Sequence, residues 1–192
     1  MQGTFRLPNA THSVDRGRSI DRAFSPLKAL RLTLGDTAQM TPETDPHQAP
    51  ASVEELDAFL RAFEAGSLPK SRWTHEGHLV AGAHYVYLFG EARAMGHMRD
   101  RVRAYNQAIG GVNSATSGYH ETLTRMWIGV LVRLLRASHG TSRLAFVQLA
   151  VERYGPRRDL HALLYDFDVV KDQRARAMWV EPTGGWPDLL DS

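Results

Sequence analysis

Apolar residues return at steps of three and four through five separate stretches of this chain, and each stretch ends at a glycine or a glycine pair. That spacing belongs to helices with one buried face; half-buried strands would need a two-residue alternation, and no stretch shows a convincing one. The pattern predicts an all-α protein: a single-domain bundle of about five main helices followed by an irregular C-terminal tail. Ser52 is a good N-cap with Glu55 three residues on, and Leu56, Phe59, Leu60 and Phe63 then carry a first helix to about Ala65, before Gly66. A second helix runs from His75 through Leu79, Val80, Ala83, Val86 and Phe89 to a break at Gly90. A third carries Met95, Met98, Val102, Tyr105 and Ile109 to Gly110-Gly111. A fourth spans Tyr119 to Leu134, and a fifth, capped by Thr141, runs from Leu144 to Val151 and ends at Gly155-Pro156. A short helix around Leu160 to Tyr165 precedes the tail.

Residues 1–51 read differently. Prolines at 8, 26, 42, 46 and 50 punctuate a polar segment with one weakly amphipathic stretch, Ile20 to Leu34. Such a segment buries too little apolar surface to offset its ordering entropy, so it is expected to be a disordered or weakly structured extension, with 52–192 forming the helical domain. Its arginines faintly resemble a transit peptide, but a solvated extension is the reading adopted.

Composition narrows the function classes. With 23 Lys+Arg against 21 Asp+Glu the formal net charge is +2, and no basic tract concentrates it, so no nucleic-acid partner is expected. No run approaches the roughly 18 uninterrupted apolar residues of a membrane helix, so no membrane partner is expected and a cytoplasmic location is. There is no cysteine, which leaves His, Asp and Glu as the candidate metal ligands. Oligomeric state is not legible.

Three of the nine histidines fall in two unusual words, Trp73-Thr74-His75-Glu76-Gly77-His78 and Gly118-Tyr119-His120-Glu121-Thr122, each opening a long apolar helix. On a helix His75 and His78 lie about 60° apart, with Cβ atoms about 5–6 Å from one another. Two such helix starts side by side would gather His75, His78 and His120 around one divalent metal, Zn²⁺ or Fe²⁺, with a coordination position left open. Glu121 is placed to serve as a fourth ligand, a partner to a ligand or a general base, and Tyr85, two turns beyond His78, as a proton-handling wall. Tyr119, Thr124, Trp127 and Asn106 are the further candidate pocket residues. Glu76 reads as a first-turn acid facing water, and His84 lies on the opposite side of its helix. Arg99, Arg103, Arg174 and Arg176 read as solvated, and His12, His47, His97, His139 and His161 as surface or tail residues.

Residues 53 to 182 also carry multi-residue words in a fixed order: Phe63 to Leu68 with Pro69-Lys70, Trp73-Thr74-His75 with His78-Leu79, Arg103-Ala104-Tyr105-Asn106, Gly118 to Thr122 with Thr124, and Ala175 through Trp179-Val180-Glu181-Pro182. In these the chain resembles an uncharacterised bacterial all-helical protein family. The resemblance implies a small helical domain and concentrates the family's polar words on the residues above, but it implies no substrate. Thr183 departs from it, standing where the pattern usually has an aspartate. The function expected first is therefore a metal-dependent hydrolase or lyase. The alternatives are a metal-free module that binds a small anionic or aromatic ligand, and a structural or interaction protein whose histidines tie loops to helix ends.

Overall fold

The computed structural model describes residue 45 and residues 47–186. Five α-helices, joined in places by single 3₁₀ turns, make up the architecture: α1 (Val53–Glu64), α2 (His75–Ala108), α3 (Glu121–Ala137), α4 (Arg143–Tyr154) and α5 (Gln173–Ala177). No strand occurs among the described residues, and no helix there is long and apolar enough to cross a membrane. Most of the extension read from 1–51 lies outside the described residues.

Each helix begins where its first turn finds a side chain to accept its free N–H groups. Ser52 Oγ accepts from Glu55 N at 3.2 Å, while Glu55 reaches back to Ala51 N at 2.8 Å, one residue earlier than in the expected capping box. Thr74 caps α2, and Ser142, not Thr141, caps α4; the Thr141 hydroxyl instead donates to Ser138 O, 2.8 Å away. The cap of α3 is His120 itself, whose Nδ1 accepts from Leu123 N at 3.3 Å. The helix therefore starts at Glu121, two residues later than its apolar pattern implied.

α2 packs against α1, α3 and α4 and organises the bundle. Its 34 residues are not one rod, because Gly90 has φ 72° and ψ 175°, a conformation that is essentially restricted to glycine. Beyond Gly90 the chain doubles back: the His97 ring stacks on Tyr85 at 5.1 Å and on Phe89 at 4.5 Å between centroids. In a straight helix twelve residues span about 18 Å, so α2 is two arms joined at Gly90, matching the break expected there. The main core gathers Leu56, Phe59, Leu60 and Phe63 of α1 with Leu79, Val86, Tyr105, Ile128, Leu131 and Phe146.

The C-terminal segment is irregular apart from α5, as expected, yet it packs closely against the bundle. It builds a second small core of Met126, Leu164, Tyr165, Val169 and Ala175, flanked by Trp179, Val180 and Trp186. Thr122 fastens it to α3, donating to Met178 O at 2.7 Å and accepting from Val180 N at 3.0 Å. Thr183 tethers the same segment, its Oγ1 accepting from Asp166 N and its amide donating to Leu164 O, both at 3.0 Å. The Trp186 indole packs closely over Gly129, where a Cβ would come within 2.9 Å of the ring and force it to shift.

Candidate functional site

Both histidine words stand at helix starts, and the partners of each ring follow from that placement. His75, the first residue of α2, donates from Nε2 to Tyr154 O at 3.0 Å, and its ring lies 4.8 Å from Trp127. His78 donates from Nδ1 to Thr74 O at 2.8 Å, and its ring lies 4.0 Å from Trp73. His120 donates from Nε2 to Val169 O at 2.9 Å while its Nδ1 caps α3. A carbonyl only accepts, so these partners assign the tautomers. Among the described residues no group bonds His75 Nδ1 or His78 Nε2, whereas His120 has neither nitrogen to spare. Burial lowers all three pKa values, that of His78 to about 4, so the rings are neutral near pH 7.

The three rings line one cavity of about 460 Å³ between the start of α2, the start of α3 and the C-terminal segment. Leu79, Met98, Val102, Leu123, Ile128 and Leu131 form its apolar walls, with Trp73, Tyr119 and Trp127 adding aromatic faces. Gly82 supplies part of the floor, where a Cβ would come within 2.9 Å of Leu131 Cδ1. His161, Arg158 and Arg176 complete the lining, and no described lining residue is acidic. Arg176 is held in place by Gly118 O at 3.1 Å and Val170 O at 3.1 Å, and no described carboxylate stands within ion-pair distance of it.

Gly118, on the cavity wall, has φ 77°, and a Cβ there would lie 2.5 Å from Val112 O and 2.7 Å from Asn113 Oδ1. Gly118→Ala is therefore expected to cost more than about 2 kcal/mol, because strain at positive φ and a backbone collision add. Thermal melting should show a drop of about 4–8 °C, and an unchanged melting temperature would refute that account.

Of the residues expected from sequence, His75, His78, His120, Tyr119, Thr124 and Trp127 share the cavity. Three others do not. Tyr85 is buried on the far side, its hydroxyl donating to Glu64 at 2.7 Å; burial and that carboxylate push its pKa up. It is no wall of this cavity, and its neighbouring imidazoles are those of His84 and His97, not of the three cavity histidines. Glu121 turns behind Tyr119, where it accepts from the Tyr119 hydroxyl at 2.9 Å and pairs with Arg99 through both carboxylate oxygens. Burial would raise its pKa, but Arg99 and Tyr119 outweigh that and hold it below the ordinary value, as a structural anion facing away from the histidines. Asn106 donates to Asn113 Oδ1 at 2.9 Å and fixes the loop before α3.

Other residues take roles their sequence context hid. Glu76 does not face water: it is buried, pairs with Arg158 at 3.2 Å and with His47 at 3.1 Å. Burial opposes its ionisation, yet the bonds from Thr74, its own amide, His47 and Arg158 bring its pKa down to about 2. Arg99 is an ion-pair partner, and His161 and Arg176 line the cavity, though each of the three reads as solvent-facing in sequence; Arg158, which carried no expectation, lines it too. Arg99 and Arg158 pair with carboxylates 22 and 82 residues away, and Arg176 bonds Gly118 58 residues away, separations that no local pattern marks.

A tri-histidine metal centre fits this arrangement poorly. His120 could ligate only by releasing the Leu123 amide or Val169, and no group of three or more His, Asp or Glu among the described residues is placed to hold an ion. Comparison with protein-family models, curated proteins and solved structures finds no match.

Proposed function

We propose that this cavity binds a small organic molecule without a metal, the ligand having an aromatic or aliphatic body and an anionic or hydrogen-bond-donating end, and that the protein works as a cytoplasmic binding module. The observation that carries this reading is the combination of apolar walls with two neutral imidazole lone pairs and the Arg176 guanidinium, and no acidic residue among the described lining; the Arg158 charge is met by Glu76. The volume lies within the range of small-molecule pockets, about 300–1,000 Å³. His75 Nδ1 and His78 Nε2 would accept from a ligand O–H or N–H, and the guanidinium of Arg176 would attract a carboxylate. With a pKa near 4, His78 is a weak base at pH 7, which favours orienting a ligand over abstracting its proton.

Thermal unfolding in EDTA tests the reading against both alternatives. Aromatic carboxylates such as benzoate, salicylate and indole-3-acetate are the probes. A ligand present at a hundred times its Kd should add about 2.7 kcal/mol, or about 5–10 °C for a domain of this size. If Zn²⁺ or Fe²⁺ stabilises instead, with the effect lost in EDTA and in His120→Ala, the metal-dependent hydrolase or lyase replaces the proposal. No response to either class leaves the structural reading, in which the histidines serve to tie Tyr154, Thr74 and Val169 to the helix starts.

A further inference from the structure

A second, outer groove of about 570 Å³ shares Tyr119 and Arg176 with the cavity and is otherwise formed by Arg103, Gln107, Asn113 and Ser114 with Ala115 and Ala177. Its donors are ordered in advance. The Arg103 guanidinium lies over the Tyr119 ring, 4.8 Å from its centroid, and Arg176 is fixed by backbone carbonyls. Asn113 holds the shape of the loop, donating to Arg103 O at 3.0 Å and accepting from Tyr119 N at 3.1 Å. Ser114 Oγ accepts from the amides of Thr116 and Ser117, so its own proton is free to be donated. No acidic residue is among the described lining of this groove. The nearby carboxylate of Glu121 lies behind Tyr119 and is already engaged by Arg99.

We infer that the groove is an oxyanion subsite, in which Arg103 and Arg176 receive a phosphate whose apolar or aromatic ester body occupies the inner cavity across Tyr119. Two guanidinium groups without an intervening carboxylate suit a doubly charged, multi-oxygen anion better than a single carboxylate: Arg103 offers paired N–H donors in a fixed plane, and Arg176, whose terminal nitrogens already donate to the Gly118, Tyr119 and Val170 carbonyls, adds a second, immobilised positive charge. The inference rests on the inner cavity holding the body of the ligand, as proposed above, and it narrows the ligand class to small aromatic or aliphatic phosphate monoesters.

Calorimetric titration of the full chain in EDTA with 1-naphthol, inorganic pyrophosphate and 1-naphthyl phosphate separates the two claims. The phosphate ester should bind the wild type at least about tenfold more tightly than naphthol, and Arg103→Ala or Gln107→Ala should reduce that advantage while leaving naphthol unaffected. Both side chains are exposed, so either variant is expected to fold, and its melting temperature without ligand checks this. Naphthol and the ester binding equally, or the ester binding undiminished in Arg103→Ala, overturns the oxyanion subsite and leaves the inner cavity intact. Pyrophosphate binding that depends on Arg103, with no naphthol binding, supports the subsite and overturns the inner-cavity reading. Affinity of the ester should also fall between 20 and 150 mM salt, since the groove is open to solvent.

Discussion

Replacing Arg99 by alanine is expected to destabilise the folded protein by about 3 kcal/mol, close to the largest effect of any single polar substitution here. The cause is the residue left behind. Glu121 is 8% exposed, and without Arg99 its negative charge keeps, among the described residues, the Tyr119 hydroxyl and the charge of Arg103, which makes no hydrogen bond to it. The reverse change should be milder, because Glu121→Gln leaves a guanidinium whose side chain is 39% exposed and remains hydrated; about 1 kcal/mol is expected. The double variant should recover part of the loss seen in Arg99→Ala alone. Urea midpoints at pH 7 measure all three. A larger penalty for Glu121→Gln than for Arg99→Ala would contradict the assignment of Glu121 as the buried partner. Ligand binding in the inner cavity should be unaltered in Glu121→Gln, whereas a general base facing that cavity would have been essential.

Acidification should weaken the fold well before carboxylates begin to protonate. The unfolded chain binds a proton at His78 near pH 6.5, whereas the folded chain does so only near pH 4. Between those values the unfolded state holds more protons, so stability falls as pH falls across this window. His78 alone contributes a loss of about 2–3 kcal/mol, the cavity-facing edge of the ring tempering the full linkage value. His75 and His120, also lowered by burial, act in the same direction. Glu76 and Glu121 have depressed values too. Their stabilisation is complete above the ordinary carboxylate pKa and is lost as pH falls from about 4.5, through about 2 for Glu76. The predicted profile of unfolding free energy therefore declines in two stages. Urea midpoints measured from pH 7.5 to 4.5 should fall steadily, and His78→Gln should flatten the first stage; a level profile between pH 6.5 and 5 would defeat the prediction.

How far the sequence revealed this molecule depended on whether the determining contacts were local. The stripe Leu56, Phe59, Leu60, Phe63 is wholly buried, and the break at Gly90 falls where the glycine stood, because both depend on short-range spacing and backbone freedom. The gathering of His75, His78 and His120 was legible for the same reason, as two helix starts with marked polar words. Tertiary and capping contacts account for other misses. Tyr85 is in register with His78 on an ideal helix, but the returning arm covers it with His97 and Glu64 holds its hydroxyl. Glu121 was misplaced because the imidazole of His120 took the capping position and turned the next residue away. Glu76, Arg158 and Arg176 depend on pairings across 29 to 82 residues, which no periodicity records. The packing of the C-terminal segment was hidden because single residues such as Thr122 and Trp186, not a repeating pattern, fasten it.

The reversal at Gly90 also sets how the cavity comes into being. His78 and Met98 face the same space although twenty residues separate them, and a straight helix would hold them about 30 Å apart. Two opposing walls thus arise from one short hairpin, whose ends meet at the modest entropic cost of closing a small loop. Contacts of such low sequence separation form quickly, so these two walls of the cavity are expected to come together before α3 docks against them.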